Sequence, residues 1–226
     1  QLANVSPKIK RTLPFTDEKT ENVIISSREI SAENFAKALS YAKSVGATAT
    51  DLVLAAYITA LGKVSGLSES DNISVACAID LRRHIKDLSS IGYTNHVSFM
   101  HCALDRIGAD FTETLHLVSE KTKELKQDEF IGLHGLPLLN FAYKSMSYIQ
   151  AETAVKLFYN NPVLSVSNVG AIDTEAFSLA HNKPFSAFVA GSAKNKPCAV
   201  MTCLSINGAF KASICLRGTE KDKEVL

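Results

Sequence analysis

Residues 73–100 read ISVACAIDLRRHIKDLSSIGYTNHVSFM. An apolar strand gives way to a charged turn, and the turn to a second strand of alternating character, so this stretch predicts two neighbouring strands of a packed sheet. Asp80, Leu81, Arg82, Arg83 and His84 follow directly on the buried strand. That places them at a sheet end, where sites in α/β folds gather. An arginine there can hold a carboxylate through two parallel hydrogen bonds and fix its geometry. A local bridge between Asp80 and Arg82 at a solvent-exposed strand end accounts for the same residues equally well.

Working outward toward the N-terminus, VIISSREI over residues 23–30 predicts a strand. Ser31 then N-caps a helix in which Phe35, Leu39 and Ala42 recur at helical spacing until Gly46 closes it. Thr48 and Asp51 stand in capping-box spacing at the head of a second helix, LVLAAYITAL, that has hardly a polar face. Such a helix is expected to be buried on several sides, with Tyr57 and Thr59 packed in the core and their hydroxyls satisfied. Residues 1–20, with Pro7, Pro14 and the basic cluster Lys8, Lys10 and Arg11, read as an extended lead-in. Residues 21–226 read as one domain.

On the other side, Asp110 and Glu113 cap an amphipathic helix that turns Phe111, Leu115, Val118 and Leu125 inward and Glu120, Lys121, Lys123, Glu124 and Lys126 to solvent. Residues 130–158 hold two further helical stretches, broken near Gly135 and Pro137 and again around Gln150, and Asn160, Asn161 and Pro162 end the helical region. Everything beyond reads as sheet, with strands over residues 163–169, 185–193, 198–206 and 209–216. Asn207-Gly208 is a strong hairpin signal, because a two-residue type I′ turn needs positive φ at both positions. The last strand alternates, with Phe210, Ala212, Ile214 and Leu216 on one face and Lys211, Ser213 and Cys215 on the other. The order of elements predicts an α/β fold: a mixed β-sheet flanked by helices in a two-layer sandwich.

Composition excludes several classes of function. The 24 Lys and Arg nearly cancel the 23 Asp and Glu, so no basic field argues for nucleic acid. No run approaches the roughly 18 apolar residues of a membrane span, and no signal peptide opens the chain. Cys77, Cys102, Cys198, Cys203 and Cys215 lie inside apolar patterns without a CxxC pair, which reads as reduced core cysteines of a cytoplasmic protein. The chain opens on Gln1 and closes in a charged run just after a strand, as a piece of a longer protein would.

The familiar catalytic signatures are missing. Gly62, Gly66, Gly132 and Gly135 lack the strand-to-helix setting of a phosphate loop, and there is no GxSxG elbow or HExxH helix. Among His84, His96, His101, His116, His134 and His181 only His96 and His101 lie close together in sequence, and their odd separation in a strand points them to opposite faces. No metal site is expected, and no histidine has an orienting partner legible in the sequence.

Three stretches together resemble the second half of the chloramphenicol acetyltransferase-like superfamily, which includes condensation domains of nonribosomal peptide synthetases, polyketide-associated acyltransferases and alcohol acetyltransferases. They are TATDLVLAAYITALGKVSG, the strand ending in AIDLRRHI, and IGYTNHVSFM. As in condensation domains, Arg82 precedes a motif similar to IGxFVNT, here Ile91, Gly92, Tyr93, Thr94 and Asn95. NPVLSVSNVG, residues 161–170, resembles the strand and Ser-Asn-x-Gly turn beside the acyl channel of these enzymes. The resemblance covers about residues 21–216.

The resemblance implies a C-terminal subdomain of an acyltransferase that moves an acyl group from a thioester, acyl-CoA or a carrier protein, to a small-molecule alcohol or amine. It implies no covalently bound cofactor. The family's HHxxxDG-type segment, whose second His is the general base, does not occur here; neither His181 nor His101 leads into such a segment. The base is therefore expected in an N-terminal half outside this chain, or in a second chain, and this chain alone is expected to be inactive. By the same resemblance Arg82 pairs with the Asp of that segment, Asp80, Asn95, Asn168 and Gly170 shape the channel, and Ser165 or Ser167 offers a hydroxyl to the oxyanion. Two other readings stand beside it. One is a catalytically inactive binding or assembly module of the same fold, with homo-oligomerisation as one form. The other is an unrelated α/β enzyme using His96 or His101 with Asp80.

Overall fold

Val23–Ile30 forms β1, Ala32–Ser44 α1 and Ala49–Ser65 α2. The computed structural model describes residues 13–92, 94–158, 162–180 and 182–226; the readings made on residues 1–12 and on Tyr93, Asn160, Asn161 and His181 lie outside them. Both helix starts follow the local chemistry. Ser31 accepts from the Asn34 amide, and Thr48 and Asp51 make the reciprocal capping box. Gly46, at φ 75°, supplies the left-handed residue that turns the chain from α1 into α2.

Ile73–Asp80 is β2 and Val97–Leu104 β3, paired antiparallel and joined by two short 3₁₀ turns. Phe111–Lys126 is α3, Leu136–Ser145 α4 and Tyr148–Phe158 α5. Pro137 lies in the first turn of α4, where its missing N–H costs nothing, so it starts that helix and does not break it. The interruption between α4 and α5 falls at residues 146–147, ahead of Gln150, whose side chain accepts from the Ser147 amide at 2.9 Å.

Leu164–Ala171 (β4), Lys194–Asn195 (β5), Ala199–Ile206 (β6) and Ala209–Arg217 (β7) complete the sheet. The strand order is β1-β7-β6-β4-β2-β3, with β5 beside β7; β4 runs parallel to both β2 and β6. Asn207 and Gly208, at φ 49° and 81°, make the hairpin turn that the dipeptide predicts. A short helix, Glu220–Val225 (α6), closes the described chain behind a second capping box, Thr219 with Asp222, inside what reads as a charged run.

The sheet is mixed and flanked by helices, as expected. One face carries Val75, Cys77, Met100, Cys102, Val166, Cys203 and Phe210 into a continuous core with Leu54, Ile58 and Leu61 of α2 and Leu115 and Val118 of α3. Two further expectations fail. Residues 185–193 are not a strand. This segment crosses the other face of the sheet, where the paired hydroxyls of Thr202 on β6 and Ser213 on β7 both donate to the Val189 carbonyl, so its backbone is held by side chains and not by a ladder. Tyr57 is buried in α2, but its hydroxyl and that of Thr59 meet no hydrogen-bond partner among the described residues.

Asp51 is fully buried yet serves two helices. It accepts from the Thr48 amide at 2.8 Å and from Thr122 Oγ1 of α3 at 2.6 Å. Thr122→Val keeps the shape and strips a buried carboxylate of that donor, an expected loss of about 2 kcal/mol. Urea unfolding should show it as a lower midpoint at unchanged m.

Candidate functional site

The C-terminal end of β2 gathers most of the residues singled out in the sequence. Asp80 caps the turn Leu81–His84 by accepting from the Arg82 amide at 2.9 Å. The same carboxylate takes Arg82 Nε at 2.8 Å and Nη2 at 2.8 Å, a two-pronged pair with both side chains about half exposed. The Arg82 hydrogen bonds hold the Asp80 carboxyl below its ordinary range, and Asp80 holds the guanidinium proton more tightly in return. In this chain Arg82 is thus engaged by its own neighbour.

Asp80 lies opposite Val97, so Asn95 and His96 stand beside it; Asn95 Oδ1 accepts the Val97 amide at 3.0 Å. Cys77 pairs in parallel with Val166, the last rung of that ladder, and Asn168 follows two residues further along β4. Asn168 Oδ1 accepts the Gly170 amide at 3.0 Å, and Gly170 sits at φ 90° where β4 slips register. Ser165 and Ser167 lie further back along β4 on the face away from α1, α2 and α3, Ser165 buried and Ser167 half-buried. His101 shares that face, opposite Ala76, four residues from Asp80 and not in contact with it. Burial pushes its pKa down, which keeps the ring neutral at pH 7.

A loop not singled out by sequence completes the cluster. Gly132, at φ 80°, lets residues 128–135 press against the end of β2, since a Cβ there would stand 2.6 Å from Ile79 Cδ1. His84 Nε2 meets the Ile131 carbonyl at 3.0 Å, and His134 Nε2 meets Asp128 Oδ2 at 2.5 Å. The His134 bond holds the Asp128 carboxyl down. The bond to Asp128 orients the His134 imidazole within the loop. A histidine and an aspartate six residues apart in a turn-rich stretch carry no periodic signal, so only the folded loop reveals the pair.

Among the described residues no group of three His, Cys, Asp or Glu side chains could hold a metal ion. Burial pushes the thiol of Cys77 up to about 11 and those of Cys102 and Cys203 to about 12, so they are inert core groups. No single helix among the described residues is long and apolar enough to cross a membrane.

No family profile matches the sequence, and no curated protein matches it either. Solved structures do. The chain has the chloramphenicol acetyltransferase-like fold shared by acyltransferases and condensation-type domains. It is similar to the TRI3 trichothecene 15-O-acetyltransferase from Fusarium sporotrichioides, with a TM-score of 0.67 at 16% identity over 95% of this chain and 46% of that one. It is similar to the epimerization domain from the third module of tyrocidine synthetase B, with a TM-score of 0.62 at 17% identity over 99% of this chain and 50% of that one. Vinorine synthase matches with a TM-score of 0.55 at 17% identity, over 92% and 47%. The chain spans about half the length of these structures.

Proposed function

We propose that this chain is the C-terminal half of an acyltransferase that moves an acyl group from a thioester, acyl-CoA or a carrier protein, to an alcohol or amine. The observation that carries the reading is the fold match itself, nearly complete over this chain and only half complete over an acetyltransferase and a peptide-synthetase domain. The general base comes from the other half. This half supplies the sheet end, with Arg82 as a brace for the facing segment, Asn95, Asn168 and Gly170 as channel wall, and the Ser165 and Ser167 hydroxyls toward the oxyanion. The thioester is substrate and no bound cofactor is required. A cytoplasmic setting belongs to the proposal, supported by five free cysteines.

A second reading, an inactive module that docks another chain, is favoured by α4 and α5. They leave Leu138 57%, Phe141 61%, Tyr148 81% and Ile149 73% exposed, an apolar display that a partner would cover.

The test is thiol release from acetyl-CoA with alcohol and amine acceptors. The chain alone should stay at background, and a polypeptide extended N-terminally to the length of the acetyltransferase should turn over. Arg82→Ala should leave the unfolding midpoint of the short chain near wild type, because the Asp80–Arg82 pair is exposed, and should lower turnover of the long one. Turnover by the short chain, or none by the long one, overturns the proposal.

A further inference from the structure

An apolar groove of about 470 Å³ runs between α1 and α2 and the β1, β7 and β6 strands, on the helix-covered face and away from the Asp80–Arg82 sheet end. Phe35 and Ala38 of α1, Ala56 and Ala60 of α2, and Met201 and Phe210 of the sheet form its walls. Its volume falls in the range of small-molecule sites. Ala56 and Ala60, one helical turn apart, are exposed along it, so the groove is open on that side.

One charge breaks the apolar lining. On β1 the side chains facing the helices are Ile24, Ser26, Arg28 and Ile30, in register with Leu216, Ile214, Ala212 and Phe210. Arg28 therefore stands on the helix-facing side of this edge strand, at its exposed rim. Its Nη1 turns back along the strand, 3.4 Å from Ser26 Oγ and 2.9 Å from the Ser27 carbonyl, and among the described residues no carboxylate pairs with it. Arg28 is exposed, so its guanidinium stays solvated at the lip of the apolar groove and presents N–H donors that an entering carboxylate can take.

We propose that this groove binds a long-chain carboxylate, its hydrocarbon chain between α1 and α2 and its head on Arg28 and Ser26. The site is independent of the acyl-transfer reading and needs no second half. Calorimetric titration of the 226-residue chain with tetradecanoate and with 1-tetradecanol separates the two parts of the ligand. Tetradecanoate should bind roughly tenfold more tightly than the alcohol, and Arg28→Gln should remove that preference while leaving the alcohol unchanged. Ala60→Trp should block both ligands, and Ala56→Phe serves the same purpose should the first variant fail to fold. Equal binding of acid and alcohol, unaltered by Arg28→Gln, would reduce Arg28 to a charge that guards an edge strand from aggregation and overturn the proposal. So would absence of binding together with concentration-dependent dimerisation in light scattering, which would make the groove a seam between copies.

Discussion

Asp222→Ala is expected to lower the stability of the fold by about 3 kcal/mol, roughly 6–12 °C in midpoint for a domain of this size. Its carboxylate is wholly enclosed and takes Lys196 Nζ at 2.8 Å, the Thr16 amide at 2.7 Å and the Thr219 amide at 2.8 Å. Truncation leaves Lys196, 13% exposed, without its counter-ion, and removes the Asp222 half of the capping box at α6. Adding Lys196→Met to the same chain should recover part of the loss, since the stranded charge goes with it. A merely local capping role predicts no such recovery. Burial raises the Asp222 pKa, but the hydrogen bonds from Lys196, Thr219 and Thr16 outweigh it and hold the carboxyl well below the usual carboxylate range. A group with a depressed folded pKa stabilises above its unfolded value and loses that contribution as the pH falls, here below about 5. Acid titration of wild type and variant should therefore converge at low pH.

Gly108→Ala is expected to cost a similar amount for a different reason. A Cβ at Gly108 would stand 2.4 Å from the Thr114 backbone nitrogen and 2.8 Å from the Glu113 carbonyl carbon, main-chain atoms in the first turn of α3 that cannot swing aside. The connection is pinned there, with the Ala109 amide on Glu113 Oε2 at 2.8 Å and Arg106 Nη2 on Glu113 Oε1 at 2.5 Å. Overpacking against fixed backbone should cost about 3 kcal/mol. Gly135→Ala is the control, with nothing within 4 Å of its added carbon, and should stay within about 0.5 kcal/mol. Equal losses in the two variants would show that the close approach does not matter.

These sites mark where sequence reasoning reaches and where it stops. β1, the Thr48–Asp51 box and the Asn207-Gly208 turn are legible because each is set by residues within a few places of one another. The box of Thr219 and Asp222 has the same spacing as the one at Thr48, but a six-residue helix carries too little apolar periodicity to announce itself. FSAFVAGSA has the composition of a strand. What denies it a ladder is the sheet face beneath it, where Thr202 and Ser213 claim the Val189 carbonyl from far along the chain. The sheet end follows the same logic. Asp80 with Arg82 is a two-residue pattern and could be read, whereas His134 meets Asp128 only after Gly132 has folded the loop against Ile79.

The pairing of β1 with β7 sets how the domain would yield to tension. Val23, the first residue of β1, lies opposite Arg217, the last of β7, and the ladder runs from there to Ile30 and Phe210. A pull applied through the flanking segments would reach the ladder at one corner and peel it rung by rung, instead of shearing all its bonds together. The first resistance met is the knot of Thr16, Lys196 and Asp222 in front of that corner. In mechanical terms the cluster is the zip's end-stop, and its removal should lower the unfolding force more than it lowers the equilibrium stability.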